Sequence, residues 1–324
     1  MSRVLLVGLG RWGRQHLRVL GALGAEVFAA DLEPRQLETA SGTVPRDHLT
    51  SDFRRFLSRV DAVDVVTPAP DHFPVCKHVL ATGKDCFVEK PLTATLPEAR
   101  VLLDEARGRG ARLQVGHVFR FHPAYERLTA VVASGRLGGI RYVTGRFGSL
   151  KRPRLDGGVT QSDAIHFLDL FNALLGRPRA VTAVVRDFLG RGADDWSRIV
   201  VEYDGAVAAL ESDCFGPESR RELLVVGERG ACVADFAGWT VTLHPGHHQP
   251  VAGHWVAEPA PPEVIPVPRD EPLRRELEAF LAGIRTREPA PVDAVAGCEA
   301  VALAWAASLA SARGRRVALD ELGA

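Results

Sequence analysis

The sequence predicts an α/β protein with a doubly wound parallel sheet in a first domain and an open, mostly antiparallel sheet in an α+β second domain. The first third of the chain alternates apolar strands with helical segments, which is the order of a parallel sheet covered on both faces. After residue 120, several β-branched stretches follow one another without intervening helices, which indicates antiparallel pairing. A chain of 324 residues is long enough for two cores. We therefore place the domains at residues 1–120 and 121–324.

The elements of the first domain follow from apolar runs and their boundaries. Pro74 suits the first turn of a helix, where its missing N–H is not needed, and Gly83 is a typical helix stop. The predicted strands cover residues 3–7, 26–30, 62–67, 85–89 and 113–117. The predicted helices cover residues 15–20, 33–40, 52–59, 74–82 and 97–109.

The second domain shows mainly strand-like stretches, with helices near its start and its end. The predicted strands cover residues 140–147, 180–185, 198–203, 207–212, 222–226, 231–235 and 240–243. The predicted helices cover residues 123–134, 162–175, 273–286 and 295–312. Residues 245–268 are rich in Pro, Gly and His, and we predict a loop there. The histidines at 244, 247, 248 and 254 lack a carboxylate or thiol at a recognised ligand spacing, so we predict no metal site.

A glycine motif links the first strand to the first helix: Gly8-Leu9-Gly10-Arg11-Trp12-Gly13. Gly8 permits a tight turn, Gly10 lets the backbone approach a pyrophosphate, and Gly13 allows close packing of helix on strand. The helix N-terminus offers free N–H groups to phosphates. Asp31 ends the second strand, where a carboxylate binds the ribose hydroxyls of NAD and repels the 2′-phosphate of NADP. The motif therefore predicts a Rossmann domain that prefers NAD; the alternative is a glycine-rich turn that holds no ligand.

Further candidate residues follow other predicted strands of the first domain. Ligands of such sheets lie beyond the carboxyl ends of the strands, and residues 67–72, Glu89-Lys90-Pro91 and 116–117 belong there. The Lys90 ammonium is expected where nicotinamide and substrate meet, where it can stabilise an oxyanion. A surface lysine in a strand–helix loop is the alternative.

The predicted helix at 162–175 carries Asp163, His166 and Asp169 at spacings of three, which places them on one face. An imidazole flanked by carboxylates can accept a proton near neutral pH. The alternative is an amphipathic helix with one structural histidine. Upstream, Arg152 and Arg154 can clamp a phosphate or carboxylate, unless they belong to a solvated basic loop.

Composition excludes several classes of partner. Lys plus Arg equals Asp plus Glu, 40 each, so the chain lacks the basic footprint of a nucleic-acid binder. We find no apolar run near the ~20 residues that span a bilayer. A strand directly at the N-terminus leaves no room for a signal peptide. The five scattered cysteines are typical of reduced thiols, so we expect a cytoplasmic protein. From the charge balance and the length of the apolar runs, we expect it to bind neither nucleic acid nor membrane.

Several motifs, in this order, resemble the glucose-fructose oxidoreductase / inositol dehydrogenase (Gfo/Idh/MocA) family almost from end to end. They are Gly8 to Gly13, Thr67-Pro68 with His72, Glu89-Lys90-Pro91, Arg120-Phe121 with Pro123, His166 with Asp169, and Leu273 to Phe280. Within the family, the residues from Val115 to Pro123 and the Arg152/Arg154 pair most resemble UDP-N-acetylglucosamine 3-dehydrogenases.

The resemblance implies an enzyme that oxidises or reduces a sugar or polyol carbon with NAD(P). It implies that Lys90 is the active-site lysine and that His166 takes the hydroxyl proton, with Asp163 as a further catalytic candidate. The usual family aspartate lies four residues before the histidine, where this chain has Ser162. The implied cofactor residues are Gly8, Gly10, Arg11, Trp12, Gly13, Asp31, Thr67, Pro68, His72, Glu89 and Lys90. The candidate substrate residues are His117, Arg120, Arg152, Arg154, Asp163 and His166.

These observations favour an NAD-dependent dehydrogenase for a secondary hydroxyl of a sugar, in particular a nucleotide sugar. An inositol, polyol or free-sugar dehydrogenase is the alternative within the same class. A non-catalytic NAD(H)-binding sensor is the alternative from another class. The resemblance also implies a homodimer or homotetramer that buries an open sheet face.

Overall fold

The computed structural model describes residues 1–154 and 157–323. The chain divides into two compact units, 1–118 with 271–301, and 119–270 with 302–324. The first border lies close to the predicted one at residue 120. The structure corrects the rest of the prediction, because residues 271–301 belong to the first unit and not to the second.

The first unit contains six parallel strands in the order β3-β2-β1-β4-β5-β6. The strands are β1 Arg3–Val7, β2 Glu26–Ala30, β3 Leu49–Thr50, β4 Ala62–Val65, β5 Asp85–Glu89 and β6 Leu113–Gly116. Every residue of β4, β5 and β6 is buried, as expected for a parallel sheet with both faces covered. The strand order reverses between β1 and β4, and this is where such sheets bind dinucleotides. The predicted Rossmann fold is confirmed.

Four helices connect these strands: α1 Arg11–Ala22, α2 Pro34–Ala40, α3 Ala69–Ala81 and α4 Leu96–Arg109. Thr95 and Glu98 form a capping box at the start of α4, and Gly110 ends it in the left-handed region. The predicted start of α3 at Pro74 was wrong, because the helix begins at Ala69 and Pro74 lies inside it. The predicted helix at 52–59 is a single 3₁₀ turn over Phe53–Phe56.

Helix α7, Pro272–Thr286, is the reason that residues 271–301 join the first unit. Its apolar residues Leu273, Leu277 and Phe280 recur every three or four positions and so share one face. That face is buried in the core cluster that contains Val19 and Leu20 of α1. The apolar face is visible in the sequence, but the core that it joins is not.

The second unit is built on one mixed sheet with the path β14-β13-β12-β11-β7-β10-β9-β8-β16, and β15 pairs with β13. Strands β7 and β10 pair in parallel, and their other neighbours are antiparallel. Helices α5 Pro123–Ala133 and α6 Ile165–Leu175 pack with the sheet in one core. The strands are β7 Ile140–Gly148, β8 Ala180–Arg186, β9 Trp196–Glu202, β10 Val207–Asp213, β11 Arg220–Gly227, β12 Gly230–Asp235, β13 Thr240–Val251, β14 His254–Pro259, β15 Glu263–Ile265 and β16 Val317–Ala318.

The predicted loop at 245–268 was wrong, because much of it forms strands. Strand β13 continues to Val251, and β14 returns beside it, with His247 paired with Glu258 and Pro250 with Trp255. Each residue of β14 is exposed, and Trp255 is 73% exposed. Gly253 turns the hairpin at a φ of +85° that favours glycine. Proline is compatible with such an edge hairpin, since an outward position needs no N–H donor.

Helix α8, Ala294–Arg313, contributes residues to both units. By length and composition it is apolar enough to span a membrane, contrary to the prediction that no apolar run approaches this length. Leu303, Ala304 and Ala307 nevertheless lie in the core of the second unit. Half of its most apolar window is buried inside the protein. These contacts are those of a core helix.

Phe280→Ala should destabilise the first unit, because it removes a ring that is 1% exposed and leaves a cavity. We expect a loss of about 3–5 kcal/mol in the free energy of unfolding, measured by urea denaturation. Arg285→Ala, on the exposed side of the same helix, is the control. A loss no larger than in the control would contradict the placement of α7 in this core.

Candidate functional site

The turn between β1 and α1 has the geometry of a pyrophosphate-binding loop. Gly8 has a φ of +99°, and a Cβ there would lie 2.5 Å from the Val66 carbonyl oxygen. A Cβ on Gly13 would lie 2.0 Å from the Gly8 carbonyl oxygen, so the helix starts directly against the turn. A Cβ on Gly10 would meet nothing within 4 Å. Gly10 therefore leaves open space beside the helix N-terminus, which fits a bound phosphate group.

Asp31 lies beside this turn, at the carboxyl end of β2. Its Oδ2 accepts from the backbone N–H of Leu9 at 2.6 Å, and its Oδ1 accepts from that of Glu33 at 2.8 Å. These bonds fix the carboxylate next to the glycine motif. The arrangement matches a carboxylate that binds ribose hydroxyls.

The segments after β4 and β5 are joined by His72 of α3. One ring nitrogen lies 2.7 Å from the Pro91 carbonyl oxygen, and the other lies 2.9 Å from that of Thr67. The Thr67 Oγ1 is buried without a hydrogen-bond partner among the described residues. A polar group of NAD fits this atom, since buried hydroxyls are normally paired. Pro68 lies at the N-cap of α3.

Glu89 and Lys90 follow at the end of β5. The Glu89 Oε1 accepts from the Trp12 indole N–H at 2.7 Å, and its Oε2 accepts from the Lys90 backbone N–H at 3.2 Å. Trp12 itself is 42% exposed. His117, a candidate substrate residue, is buried after β6. The predicted cofactor residues of the first unit thus share the carboxyl edge of its sheet.

In the second unit, the predicted site helix begins with a π-helical turn over Thr160–Ala164, and α6 continues from Ile165. π-turns are frequent at functional sites. Asp194 holds the turn, because its Oδ2 accepts from the Thr160 backbone N–H at 2.8 Å and from its hydroxyl at 2.7 Å. Asp194 is not among the predicted site residues, because it lies 34 residues away and carries no motif.

An aromatic ring lies beside the candidate acid/base residues. His166 stacks on Phe147, with ring centroids 5.7 Å apart and an interplanar angle of 13°. The Lys151 Nζ lies 5.3 Å from the Phe147 centroid and donates to the Asp163 Oδ2 at 2.5 Å. Asp163 and His166 are both buried. Asp163 is thus paired with a lysine that is not among the predicted site residues.

Asp169 and Arg120 form a bidentate ion pair. The Arg120 Nε donates to Oδ2 at 2.7 Å, and its second nitrogen donates to Oδ1 at 2.9 Å. Asp169 is 1% exposed, so the pair is largely withdrawn from water. This contact links the 3₁₀ turn at Val118–Phe121 to α6, and a substrate role for Arg120 stays a prediction.

Arg152 and Arg154 are exposed, as a solvated loop or a substrate clamp both require. The Arg154 carbonyl accepts from Arg191 at 2.8 Å. Within residues 1–154 and 157–323, no group of three His, Cys, Asp or Glu side chains is placed to hold a metal ion.

Comparison with known proteins identifies the family. Residues 2–117 match the family model "Oxidoreductase family, NAD-binding Rossmann fold", and residues 130–319 match its C-terminal alpha/beta domain. The chain belongs to the Gfo/Idh/MocA oxidoreductase family. It is a dehydrogenase that acts on CH–OH groups with NAD as cofactor. The predicted family, enzyme class and cofactor are confirmed.

The chain is similar over nearly its whole length to two curated relatives and to one solved structure. UDP-N-acetylglucosamine 3-dehydrogenase of Acidithiobacillus ferrooxidans is 31% identical over 93% of this chain and 95% of its own length. Inositol 2-dehydrogenase of Rhizobium meliloti is 27% identical over 97% of this chain and 98% of its own length. A structure of the Acidithiobacillus enzyme matches with a TM-score of 0.84 at 28% identity, over 95% of this chain and 97% of that one.

Gly10→Ala should weaken NAD binding without destabilising the fold. The added methyl meets no protein atom within 4 Å, but it projects into the space assigned to the pyrophosphate. We expect at least about tenfold weaker NADH binding, measured by fluorescence titration, with an unchanged Tm.

The matched control is Gly21→Ala in the same helix, where a Cβ also meets nothing within 4 Å. Its NADH affinity should equal that of the unmodified chain. Equal affinities for the two variants would contradict the placement of the pyrophosphate at Gly10.

Proposed function

We propose that this protein is an NAD-dependent dehydrogenase that oxidises or reduces a secondary hydroxyl of a nucleotide sugar, as UDP-N-acetylglucosamine 3-dehydrogenase does. The observation that carries this proposal is the 31% identity to that enzyme over 93% of the chain. We also propose that the protein is cytoplasmic, in keeping with its ordinary composition.

The proposed mechanism assigns one role to each candidate residue. NAD supplies the hydride acceptor when it is bound. His166 takes the proton of the substrate hydroxyl, and its stacking on Phe147 fixes the plane of the imidazole. The Lys90 ammonium stabilises the alkoxide that develops as the proton leaves. Asp163, held by Lys151, acts as a positioning carboxylate for the sugar.

Exposed basic residues favour a nucleotide sugar over a neutral one. Arg152 and Arg154 present two guanidinium groups a short distance along the chain from Lys151. Guanidinium forks bind diphosphate oxygens in a bidentate manner. A neutral free sugar offers no anion for them.

An inositol or polyol dehydrogenase is the second candidate, supported by the 27% identity to inositol 2-dehydrogenase over 97% of the chain. NADH formation should be measured with UDP-sugars, free hexoses and inositols. Turnover of UDP-N-acetylglucosamine supports the first candidate, while turnover of inositol alone supports the second.

Lys90→Ala should leave NADH affinity nearly intact and lower kcat about 10²–10⁴-fold, because the developing alkoxide loses its cationic partner. Steady-state kinetics on the best substrate of the panel, with NADH titration alongside, measures both effects. Lys77→Ala, an exposed lysine of α3, is the control. A kcat within threefold of the control would refute the role of Lys90 in this mechanism.

We propose that two or four copies assemble through the outer face of the second unit's sheet. Tyr142, Val184 and Val207 of β7, β8 and β10 each leave about two fifths of their surface exposed, and alternate residues of the same strands lie in the core. Burial of such a face against a second copy removes apolar surface from water. Sedimentation velocity at micromolar concentration should give a dimer or tetramer, and Tyr142→Glu should shift it to smaller species. A monomeric unmodified chain would contradict this assembly.

A further inference from the structure

Three titratable side chains form a buried cluster beneath the glycine motif. The His16 Nδ1 lies 2.9 Å from the Asp64 Oδ2, and its Nε2 lies 3.3 Å from the Glu89 Oε1. The side chains of His16 and Asp64 are fully buried, and that of Glu89 is 9% exposed. They come from α1, β4 and β5, so the cluster ties the phosphate-binding helix to two central strands. Neither His16 nor Asp64 has a role in the mechanism above.

Glu89 connects this cluster to two residues of the cofactor edge. Its two carboxylate oxygens accept from the Trp12 indole and from the Lys90 backbone N–H. Gly116 on the neighbouring strand provides the space, since a Cβ there would lie 2.9 Å from the Glu89 Oε1. The orientation of this carboxylate therefore fixes the position of the Trp12 indole and of the Lys90 backbone N–H.

Burial and the neighbouring charges act in opposite directions on the three side chains of this cluster. Burial alone favours the neutral ring, but Asp64 and Glu89 together raise the pKa of His16 to about 10. Burial opposes ionisation of Glu89, yet the His16 ring and the Lys90 charge lower its pKa. Burial raises the pKa of Asp64, and His16 opposes that rise. The uncharged rings of Trp12 and Phe87 also pack against the imidazole, with centroids 5.9 and 5.6 Å away.

We propose that His16 and Asp64 are positioning residues for NAD binding: an imidazolium, anchored by Asp64, holds the Glu89 carboxylate in the direction that fixes Trp12 and the Lys90 backbone. The chain of contacts runs Asp64–His16–Glu89–Trp12, from the interior of the sheet to an exposed ring in the glycine motif. The role concerns the cofactor alone and does not depend on which sugar the enzyme uses.

Asp64→Asn tests the role, because it removes one of the two carboxylates that keep His16 protonated. The His16 pKa should fall, so the ring loses its proton as the pH rises from 6 to 9. Over the same range the NADH dissociation constant of the variant should rise about tenfold, while that of the unmodified chain stays constant. NADH is titrated by fluorescence with the full chain and no sugar. The ¹⁵N chemical shifts of the His16 ring report directly whether the ring is protonated. The signals are assigned by their absence from the spectrum of His16→Gln.

Asp85→Asn is the matched control. Asp85 is a buried carboxylate at the opposite end of β5, where it accepts from Arg287 at 2.6 Å. This variant should lose stability but keep an NADH dissociation constant that does not change with pH. If Asp64→Asn loses stability and also keeps a constant dissociation constant, the cluster is merely structural and the proposal is overturned.

Trp12→Phe keeps the proposal testable should Asp64→Asn not fold. The residue is partly exposed, and the change removes the N–H donor to Glu89, together with one of the two fused rings, while it keeps an aromatic ring. NADH binding should weaken at least about threefold, and an unchanged affinity would overturn the proposal. Failure to turn over any sugar, with NADH binding as described here, would refute the proposed function and leave this inference standing.

Discussion

The close approach of α1 to the turn after β1 is the constraint on which the cofactor edge depends. A Cβ on Gly13 would meet the Gly8 carbonyl, and a Cβ on Gly8 would meet the Val66 carbonyl, so the helix can begin there only with glycine at both positions. This contact aims the free N–H groups of the first helical turn at the carboxyl edge of the sheet. It also fixes the position of His16, one turn further along the helix, opposite Asp64 of β4 and Glu89 of β5. Phosphate binding and the buried charge cluster thus have one geometric origin.

The sequence predicted the first unit well, because its signals are local. The strands are apolar runs, and Gly8, Gly10, Gly13 and Asp31 stand at motif spacings whose physical reasons are known. The hairpin strands beyond residue 244 were missed because Pro and Gly are frequent at 245–268, and composition alone indicates a loop. The strand pairing that holds this hairpin is a contact between segments, which composition does not report. The predicted start of α3 was wrong because proline is typical of the first turn of a helix, whereas Pro74 lies inside α3.

The candidate site was predicted as a set of residues and not as a set of contacts. Asp163, His166 and Asp169 were selected by their spacing, and the structure pairs Asp163 with Lys151 and Asp169 with Arg120. Both partners come from other elements, and no periodicity links them to α6. His16 shows the same limit, because its partners Asp64 and Glu89 lie 48 and 73 residues further along the chain. Long-range pairs of this kind decide which carboxylates face a ligand and which are neutralised inside the protein.

The interrupted first unit has a consequence for synthesis of the chain. Residues 1–118 provide the whole parallel sheet, but α7 emerges from the ribosome only after the more than 150 residues of the intervening segment have been made. Until then, the surface that receives Leu277 and Phe280 has no covering helix. The nascent Rossmann sheet therefore carries an apolar patch while the second unit is being translated, a period in which a chaperone or an early partner can bind it. Completion of the first core is thereby coupled to completion of almost the entire polypeptide.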